Sequence, residues 1–450
     1  MFAGNSVLVI GMARSGVAAA VALAKRGAVV AIYDRKTPDQ LPDEVKMLSP
    51  GVEILNGNVP PITRAYDLAI VSPGISLESP AVMTVKEQGI PIMGEVELAY
   101  LIKSDAVKLI AITGTNGKTT TTALVANILK TGGIESAAAG NIGVALVSVV
   151  DSMQHGIIAV EVSSFQLETI EKFHPVCSGI INITPDHLDR HKTMENYAAI
   201  KARVFENQTD AEYTFINLED PWLNKMSAPC KLRYFSTDRV LKQGVWVEDG
   251  SLYVNLENQV ERVCGVSELR LRGKHNLENS LCAVGMARAV GVDIEVIRQS
   301  LMTFGGVRHR LEEAGRIDGV LYINDSKGTN PDSTIKALES FAEPIVLIAG
   351  GRNKGSDFSV LAELIKEKVK ALVLVGEAKS IIKEAVQKAG VDNIFEVDTF
   401  EDAVIKARKQ AVSGDVVLLS PACASWDMFN NYEERGDLFC DIVQSFKEGA

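Results

Sequence analysis

The stretch LIAITGTNGKTTTTALVANIL, residues 109–129, contains the pattern that decides the fold of the region around it. A run of apolar β-formers leads into Gly-Thr-Asn-Gly-Lys. A helical pattern follows, predicted to start at about Lys118, with four threonines in its first turn. Threonine is a poor helix former, so this turn is not selected for helix propensity. Hydroxyl groups and exposed amides at the start of a helix suit an anionic ligand.

The turn between this strand and helix predicts a phosphate-binding loop. Its amides and the N–H groups of the helix start suit a polyphosphate, Lys118 adds a mobile positive charge, and the Thr119 hydroxyl can bind Mg²⁺. The match to G-x-x-x-x-G-K-[ST] is incomplete, because Ile112 stands in place of the first glycine. An ordinary turn is the alternative, but Gly-Lys-Thr between a strand and a helix favours phosphate binding.

Length, charge and cysteine usage limit the class of protein. A chain of 450 residues suits two or three domains. The net charge of -11 argues against a general nucleic-acid or anionic-membrane surface, although a local pocket can still bind an anionic small molecule. The six scattered cysteines predict isolated core thiols in a reducing compartment. The N-terminus enters a strand at once and no apolar run reaches spanning length, so we expect a cytoplasmic protein.

Short apolar strands alternate with helical segments along most of the chain, which predicts an α/β fold with parallel sheets. We expect three domains: a Rossmann-like domain over 1–95, a central P-loop-type ATPase domain over 96–304, and a second Rossmann-like domain over 305–450. Residues 229–272, which include SELRLRG, have the pattern of short alternating strands and predict a small antiparallel portion of the central domain.

The first β-α unit, VLVIGMARSGVAAAVALAKRGAVVAIYD, is similar to a dinucleotide site without matching it. Gly11 and Gly16 bracket the turn, and Asp34 closes the second strand where a ribose-binding acid would stand. Ala13 replaces the middle glycine, and its Cβ would crowd a pyrophosphate. The pattern therefore disfavours NAD and is compatible with another nucleotide-bearing ligand, with Arg14 or the following serine facing its phosphates.

Four ionisable residues stand out in the central region. Glu161 lies inside the β run of AVEVSSFQLE, where a carboxylate needs a partner or a metal ion, and a charge at a strand edge is the alternative. His187 and His191 of NITPDHLDRH are four residues apart, but no cysteine flanks them, so a polar catalytic loop is favoured over zinc. Lys201 falls among apolar residues at helical spacing, which leaves a snorkelling lysine and a functional buried lysine both open.

Polar groups also follow several later strands. His275, Asn276 and Asn279 are predicted to lie just before an Ala-rich helix, either to read a ligand or to cap that helix. Arg308 and Arg310 stand at the expected domain junction. The segments INDSKGTNPDS, AGGRNKGSDF and LLSPACASWDMFNNYEERG each end a strand in a polar loop. Ligand sites in open α/β sheets lie beyond the carboxyl ends of strands, so these three loops predict a substrate wall.

Taken in order, these motifs resemble the Mur ligase family of peptidoglycan synthesis. TGTNGKTTT, EVSSFQLE, NITPDHLDRH, the lysine of AIKARVFEN, HNLEN and RHRLE follow one another as they do in that family. The flanking motifs GMARSG, SPGI, NDSKGTNPDS, GGRNKGSDF and LLSPACASWDMFNNYEERG look like those of the member that adds D-glutamate to UDP-N-acetylmuramoyl-L-alanine. The resemblance covers nearly the whole chain.

The resemblance implies an ATP-dependent, ADP-forming ligase. ATP would phosphorylate the alanyl carboxylate of UDP-N-acetylmuramoyl-L-alanine, and the amine of D-glutamate would attack the acyl phosphate. Phosphoryl transfer of this kind asks mainly for positioning and charge neutralisation. The family pattern further implies ATP, two Mg²⁺ ions and a CO₂-derived carbamate on Lys201. We expect a monomer with no nucleic-acid or membrane partner.

The resemblance also assigns roles to individual residues. The catalytic positions are Lys118, Glu161, His187 and Lys201, and the metal positions are Thr119, Glu161, His187 and Lys201. The ATP-binding positions are Gly114, Thr115, Asn116, Gly117, Lys118, Thr119, Thr120, Asn276, Asn279, Arg310 and Asp325. The UDP-sugar positions are Arg14, Ser15, Asp34, Arg35, Ser72, Asn141 and Ser163. The D-glutamate positions are Lys327, Thr329, Lys354, Ser425 and Tyr432, of which Tyr432 stands where the family can carry phenylalanine.

Three alternatives stay open on the sequence. A folylpolyglutamate synthase-like ligase shares the central motifs. An NAD-dependent oxidoreductase would use the first domain, but Ala13 opposes it and the phosphate loop would have no role. A nucleotide-sensing switch without enzymatic activity would need the phosphate loop, but it has no use for Glu161, His187 and the C-terminal lysine loops together.

Overall fold

The computed structural model describes residues 2–36, 45, 48, 51–62, 64–271, 273–353 and 355–448. The chain divides into two compact units, Met1–Leu269 with Glu278–Thr303 and Arg270–Leu277 with Phe304–Ala450. Two β-sheets belong to the first unit and one to the second. In the ranges described, no helix is long and apolar enough to cross a membrane.

The first sheet is parallel and has the strand order β3-β2-β1-β4-β5. Its strands are β1 Ser6–Ile10, β2 Val29–Asp34, β3 Glu53–Asn56, β4 Leu68–Val71 and β5 Ile92–Gly94. The helices of this region are α1 Arg14–Lys25, α2 Pro80–Glu87 and α3 Glu95–Ile102. The turn from β1 to α1 depends on Gly16, because a Cβ there would lie 1.8 Å from the carbonyl oxygen of Gly11. This turn lies at the carboxyl end of the sheet, where α/β folds bind ligands.

The second sheet has nine strands in the order β14-β13-β12-β11-β10-β9-β6-β8-β7. Its strands are β6 Val107–Thr113, β7 Ser136–Gly140, β8 Gly156–Glu161, β9 Cys177–Ile180, β10 Tyr213–Asn217, β11 Lys231–Ser236, β12 Gly244–Glu248, β13 Ser251–Asn255 and β14 Glu261–Gly265. Strands β6 to β12 pair in parallel, and β12–β13–β14 form the antiparallel end of the sheet.

The helices around this sheet follow the predicted β/α alternation. They are α4 Lys118–Thr131, α5 Leu146–Ser152, α6 Ser164–Leu167, α7 Leu188–His191, α8 Met194–Ala202, α9 Lys274–Ala289 and α10 Ile294–Thr303, with 3₁₀ turns at Arg203–Phe205, Leu223–Lys225 and Val266–Glu268. The antiparallel portion is confirmed but smaller than predicted, because β11 runs parallel to β12. SELRLRG was wrongly assigned as a strand, since Val266–Glu268 is a 3₁₀ turn and the chain then leaves the sheet.

The third sheet lies in the second unit and has the order β15-β16-β20-β17-β18-β19. Its strands are β15 Glu312–Ile317, β16 Val320–Asn324, β17 Ile345–Gly350, β18 Val369–Val375, β19 Ile394–Glu396 and β20 Val416–Ala422, and its helices are α11 Pro331–Glu339, α12 Ser359–Lys368, α13 Lys379–Lys388, α14 Phe400–Gln410 and α15 Tyr432–Glu448. Only the β15–β16 pair is antiparallel among the described pairs. The sequence did not predict β15, whose segment EEAGRI alternates too weakly to mark a strand.

Buried apolar residues form separate clusters on the two faces of the third sheet, and one large cluster runs through the first two sheets. The structure thus confirms α/β architecture with mostly parallel sheets. We keep residues 95 and 304 as proposed domain boundaries.

Candidate functional site

The phosphate loop lies between β6, which ends at Thr113, and α4, which begins at the predicted Lys118. Gly114 has a φ of 150° and Gly117 has a φ of 82°, backbone conformations that side-chain-bearing residues rarely adopt. A Cβ on Gly117 would lie 2.2 Å from Oδ1 of Asn279, so this asparagine of α9 packs directly against the loop. The loop therefore needs glycine both for its backbone path and for space.

The four threonines at the start of α4, residues 119–122, are all buried, at most 5% exposed. In the described structure the hydroxyls of Thr121 and Thr122 have no hydrogen-bond partner. We therefore expect only Thr119 and Thr120, the first two residues after Lys118, to turn their hydroxyls to a ligand.

A second segment, which follows β9, holds the phosphate loop in place. Thr115 donates its N–H to the carbonyl of Asn182 over 2.9 Å, and Asn116 donates its N–H to Oδ1 of Asn182 over 2.9 Å. The hydroxyl of Thr115 lies 3.3 Å from that of Tyr197 and donates to the carbonyl of Thr184 over 3.1 Å. Asn182 was not predicted as a site residue from the sequence, although its position just after the buried strand β9 was a signal.

Two lysine side chains converge on one carbonyl of the loop. Nζ of Lys118 donates to the carbonyls of Gly114 over 3.0 Å and Thr115 over 2.7 Å, and Nζ of Lys201 donates to the carbonyl of Gly114 over 2.7 Å. The carbonyl oxygen of Gly114 thus accepts from both ammonium groups at the place where a polyphosphate would lie.

Lys201 is buried, with 1% of its surface exposed. Its Nζ lies 4.6 Å from the ring centre of Tyr197, and Val204 and Phe205, which follow the end of α8, are also buried. Burial first, and then the positive charge of Lys118, hold the pKa of Lys201 well below its ordinary value. The snorkelling alternative is wrong, because the amine is hydrogen-bonded in the interior.

Glu161 ends β8, a strand with neighbours on both sides, and is 2% exposed. Its Oε1 accepts a hydrogen bond from Nδ2 of Asn141 over 2.9 Å. Its Oε2 is buried and accepts no hydrogen bond from the residues that the structure describes. A bare buried carboxylate oxygen is unfavourable unless a cation meets it, so the strand-edge alternative does not describe this residue.

His187 adopts a left-handed conformation with a φ of 53° at the start of α7. Its ring lies edge-on to Phe165, with ring centres 4.7 Å apart, and its Nε2 lies 3.5 Å from Oδ2 of Asp186. His191 is buried, and its Nε2 is 2.9 Å from the hydroxyl of Ser164. Within the described ranges, no group of three His, Cys, Asp or Glu is placed to hold a metal ion.

A cavity of about 880 Å³ lies at the carboxyl end of the first sheet. The five N-terminal UDP-sugar candidates all line it: Arg14, Ser15, Asp34, Arg35 and Ser72. Asp34 accepts the N–H of Met12 over 2.9 Å, and the Ser72 hydroxyl donates to the carbonyl of Gly11 over 3.2 Å, so both side chains shape the turn. The N-terminus of α1 faces this turn and suits an anionic group.

The other two UDP-sugar candidates lie in the second sheet's region. Asn141 follows β7 and contacts Glu161 as described above. Ser163 caps α6 in a capping box, because its hydroxyl accepts the N–H of Gln166 over 3.3 Å. A second cavity of about 790 Å³, lined among others by His187 and Phe165, shares Gly74 and Ser76 with the first cavity.

In the second unit, two of the three predicted loops emerge from β16 and β20, which are neighbours in the sheet, and the third follows β17 on the other side of β20. Nζ of Lys327 lies 5.2 Å from the ring centre of Tyr432, and the N–H of Thr329 donates to the carbonyl of Lys327 over 2.9 Å. Ser425 is buried and its carbonyl accepts the N–H groups of two later residues of its loop. Lys354 lies outside the described residues.

The ATP-side candidates of this unit form a buried polar group. Nη1 of Arg310 lies 3.6 Å from Oδ1 of Asp325, which is fully buried and accepts from the hydroxyl of Ser420 over 2.8 Å. Burial raises the pKa of Asp325, and Arg310 opposes that rise. Asn276 and the neighbouring His275 lie inside the first turn of α9, and Asn279 lies further along the same helix, so the expected position of all three before the helix was wrong. Burial, with Arg310 and Lys336, lowers the pKa of His275 to about 3.

Arg435, a buried guanidinium on α15, was not predicted as a site residue from the sequence. Its Nε donates to the hydroxyl of Ser326 over 3.0 Å, and its Nη2 donates to the carbonyls of Ser326 over 2.8 Å and Cys423 over 3.3 Å. Burial lowers its pKa to about 10. Arg435 ties together the loops after β16 and β20, and nothing in its local pattern distinguishes it from an ordinary surface arginine.

The nine-stranded sheet and its glycine-lysine loop define an α/β nucleotide-binding protein of the phosphate-loop type. Three family models match the chain: "Mur ligase MurD-like, N-terminal domain" over residues 5–94, "Mur ligase middle domain" over 112–287 and "Mur ligase, glutamate ligase domain" over 309–423. The chain belongs to the Mur ligase family. It is therefore an ATP-dependent, ADP-forming enzyme that joins an acid to an amine.

Full-length relatives support this membership. The UDP-N-acetylmuramoylalanine--D-glutamate ligase of Pelotomaculum thermopropionicum is 49% identical over 100% of this chain and 99% of its own. The protein of that name from Caldanaerobacter subterraneus subsp. tengcongensis is 46% identical over 98% of each chain. The crystal structure of UDP-N-acetylmuramate-alanine ligase from Thermotoga maritima covers 98% of this chain and 99% of its own with a TM-score of 0.62 at 19% identity, which shows a shared fold.

Proposed function

We propose that this protein joins D-glutamate to UDP-N-acetylmuramoyl-L-alanine with the hydrolysis of ATP to ADP and phosphate, in the synthesis of peptidoglycan precursors. The observation that carries the proposal is the meeting of the Lys118 and Lys201 amines at the Gly114 carbonyl, in the same unit as the bare carboxylate oxygen of Glu161. The full-length relatives named for this reaction support the choice of substrates.

The phosphate loop would bind the triphosphate of ATP. The N–H groups of Gly117 and of the first turn of α4 lie at the N-terminus of a helix, where they would donate to phosphate oxygens. Lys118 would exchange its two carbonyl acceptors for the β- and γ-phosphate oxygens. Asn279 packs against Gly117 and would contact the nucleotide from α9. The resemblance to the family also assigns Asn276, Arg310 and Asp325, which belong to the second unit, to ATP.

The reaction has two steps. The alanyl carboxylate oxygen attacks the γ-phosphorus, a P–O bond forms, and the bond to the β-phosphate oxygen breaks to release ADP. The amine of D-glutamate then attacks the acyl carbon and loses a proton, and the tetrahedral intermediate expels phosphate to leave an amide. Lys118 would hold charge that develops on the transferred phosphoryl group, which is the largest contribution a protein makes to this chemistry.

The surroundings of Glu161 fit a Mg²⁺ ion. Oε2 of Glu161 is a buried carboxylate oxygen without a partner among the described residues, and Mg²⁺ prefers oxygen ligands. Glu161 and Thr119 would hold one ion, which would neutralise phosphate charge. We assign a second ion to His187 and Lys201. Because no cluster of three protein ligands exists in the described structure, phosphate oxygens and water would supply the remaining ligands.

Carbamylation of Lys201 is part of this proposal. The neutral amine would attack the carbon of CO₂ and form an N–C bond as one C=O π bond opens, and the nitrogen would release a proton to solvent, so that the neutral amine becomes an anion with two oxygens. Burial favours the neutral amine that reacts. The carbamate would then supply oxygen ligands and remove a positive charge from the neighbourhood of Lys118.

The UDP-sugar would occupy the cavity of the first sheet. Arg14 and Ser15 stand at the N-terminus of α1 and would meet the diphosphate, while Asp34, Arg35 and Ser72 line the same cavity. Asn141 and Ser163 would meet the peptide end of the substrate. Lys327, Thr329, Lys354, Ser425 and Tyr432 would bind D-glutamate, with the two lysines paired to its carboxylates.

The proposal predicts strict selection of D-glutamate. In an assay of phosphate release with ATP and UDP-N-acetylmuramoyl-L-alanine, D-glutamate should give fast turnover and L-glutamate or D-alanine should not. D-Alanine lacks the side-chain carboxylate and leaves a lysine unpaired, whereas L-glutamate, with the opposite configuration, cannot place both carboxylates on the lysines and keep its amine directed at the acyl carbon. Equal rates with L-glutamate or D-alanine would contradict the assignment. Turnover on a folate in place of the UDP-sugar would favour the folylpolyglutamate synthase-like alternative.

A further inference from the structure

Arg190 connects the second sheet's region to a loop of the first sheet. It lies on α7, three residues after His187, and its guanidinium reaches the loop that follows β4. Nη1 donates to the carbonyl of Pro73 over 3.0 Å, and Nη2 donates to the carbonyl of Ile75 over 3.2 Å. One side chain thus holds two carbonyls of a three-residue segment that is more than a hundred positions away in sequence.

A carboxylate fixes the orientation of this guanidinium. Nε of Arg190 donates to Oε1 of Glu168 over 3.0 Å, and Nη2 donates to Oε2 of the same residue. The two side chains are 15% and 12% exposed. A two-point pair of this kind is geometrically specific, and loss of either partner leaves a largely buried charge unpaired.

The same arginine contacts the His187 region through Phe165. The guanidinium carbon of Arg190 lies 4.3 Å from the ring centre of Phe165, a distance that allows a cation–π interaction. The Phe165 and His187 rings meet in an edge-to-face arrangement with centres 4.7 Å apart, and Phe165 stacks on His191 with centres 5.5 Å apart. A shift of Arg190 would therefore move the ring against which His187 is placed.

The loop that Arg190 holds lines the cavity that we assign to the UDP-sugar. Pro73, Gly74 and Ile75 all line that cavity, and Gly74 also lines the second cavity beside His187. A Cβ added to Gly74 would meet nothing within 4 Å, so the middle of the loop is not fixed by packing. The turn has its own hydrogen bond, from the N–H of Ile75 to the carbonyl of Ser72 over 2.9 Å, and the two carbonyls on either side of Gly74 tie that turn to Arg190.

We propose that Arg190, oriented by Glu168, is a positioning residue that sets the loop 73–75 of the UDP-sugar cavity relative to His187. The inference rests on the proposed function for the identity of the ligand. In this role, Arg190 and Glu168 increase the affinity for the UDP-sugar and align the peptide end of that substrate. Neither residue contacts ATP or D-glutamate.

The test compares Arg190→Lys with Arg203→Lys. Arg203 is a matched control, since its guanidinium donates to the carbonyls of Leu167, Glu168 and Ile170 and pairs with Glu206, all in the second sheet's region. Lysine keeps the charge in both variants but cannot make the forked contacts.

Arg190→Lys should raise the KM for UDP-N-acetylmuramoyl-L-alanine about tenfold or more and leave the KM for ATP within about twofold, because charged hydrogen bonds to the loop are lost. Arg203→Lys should leave both values near those of the unaltered enzyme. A UDP-sugar KM that does not change in Arg190→Lys, or that rises equally in Arg203→Lys, would overturn the inference.

Hydrogen exchange in the ligand-free protein separates this inference from the proposed function. The amides of residues 74–76 should exchange faster in Arg190→Lys and in Glu168→Gln than in the unaltered protein, while those of the phosphate loop keep their rates. Faster exchange at 74–76 in a protein that does not use the UDP-sugar would refute the proposed function and support the positioning role. Equal exchange at 74–76 in all three proteins would refute the positioning role.

Discussion

Lys201 shows how a single buried side chain can decide between two chemical roles. An ammonium ion in the interior, hydrogen-bonded to the carbonyl of Gly114 and close to Lys118, is electrostatically costly. Its attractions, to Asp186, Glu161 and the face of the Tyr197 ring, only partly offset that cost. A neutral amine at this position is a nucleophile, and carbamylation would convert it into an oxygen ligand.

We predict that Lys201→Ala lowers turnover at least about 100-fold, a loss typical of a group that stabilises transition-state charge. Lys201→Arg should be equally inactive, because a guanidinium cannot form the carbamate. Acetate or formate should partly restore Lys201→Ala by filling the vacated space, whereas bicarbonate should not. Phosphate release measures all of these, with Lys130→Ala, an exposed lysine at the end of α4, as the control. Near-normal activity of Lys201→Arg would show that no carbamate is needed.

At the scale of one element, α4 has a glycine with positive φ just before its start and another just after its end. Gly117 has a φ of 82° and Gly133 a φ of 73°. An added Cβ at Gly117 would collide with Asn279, whereas an added Cβ at Gly133 would meet nothing within 4 Å. At both sites a residue other than glycine would have a strained left-handed backbone, but its Cβ would collide with a neighbouring side chain only at Gly117.

We expect both Gly117→Ala and Gly133→Ala to destabilise the protein by about 1–2 kcal/mol through left-handed backbone strain. Gly117→Ala should in addition displace Asn279 and the loop amides, and so raise the Kd for ATP at least about tenfold, since a misplaced hydrogen bond costs that much. Thermal unfolding and calorimetric titration with ATP measure the two effects. Equal ATP affinity in both variants would mean that the loop tolerates the movement of Asn279.

The junction of α3 and α5 holds a second element-scale feature, the buried carboxyl of Glu95. Its Oε1 accepts the N–H of Val147 over 2.6 Å, and its Oε2 is buried without a partner in the described structure. Burial raises its pKa to about 7. Two residues later, Glu97 instead accepts three N–H groups of residues 171–173, so the two carboxyl groups of one helix have contrasting surroundings.

The direction of the pH effect on stability follows from the raised pKa of Glu95. The native pKa of Glu95 lies above the unfolded value of 4.5, so between these two values the unfolded chain releases a proton that the native protein retains. The contribution of Glu95 to the free energy of unfolding is fully present below pH 4.5. It falls as the pH rises to about 7, by about 3 kcal/mol at most. Glu95→Gln keeps the acceptor for Val147 and removes the titration.

We therefore expect the melting temperature of the unaltered protein to fall, relative to Glu95→Gln, between pH 5 and pH 8. Scanning calorimetry across this range provides the measurement, and the variant serves as the control for every other titrating group. Parallel melting curves for the two proteins would show that the carboxyl of Glu95 has an ordinary pKa in the native state.

Across the whole molecule, the features that depend on local pattern were predictable from the sequence. The parallel sheets and the start of α4 at Lys118 each follow from apolar periodicity and from glycines at strand ends, whereas the interior position of Glu161 was one of two alternatives. Such features are encoded within a few neighbouring residues. The buried state of Lys201 was one of two alternatives, because periodicity places a residue on a helix face without showing how deeply that face is covered.

The features that the sequence did not predict depend on contacts between distant residues. Arg190 acts on a loop 115 to 117 positions away, and Arg435 on a loop 109 positions away. An arginine that donates to backbone carbonyls leaves no pattern in its own neighbourhood, since any residue can present a carbonyl. The edge strand β15 was missed for a related reason, because its pairing with β16 gives it order that its weak alternation does not predict.

The cysteines extend the argument to the redox state of the whole chain. All six lie in the described part of the structure and are thiols without disulfide bonds, and four of them are buried. Burial raises the pKa of Cys230, Cys264 and Cys440 to about 11, and it raises the pKa of Cys177 and Cys282 as well. The thiolate is the reactive form, so these groups are poorly reactive at neutral pH.

We predict that protein purified without a reducing agent yields six labelled thiols per chain after unfolding in guanidinium, and that adding a reductant before unfolding does not change that number. In the native state at pH 8, the thiols of Cys230, Cys264 and Cys440 should react at least about 100-fold more slowly than a model thiol of pKa 8.5, because so little thiolate is present. Mass spectrometry of the labelled protein counts the adducts and locates them. Fewer than six adducts in the unfolded, unreduced chain would reveal a disulfide, and fast labelling of a buried cysteine in the native state would show that its core opens far more often than its packing implies.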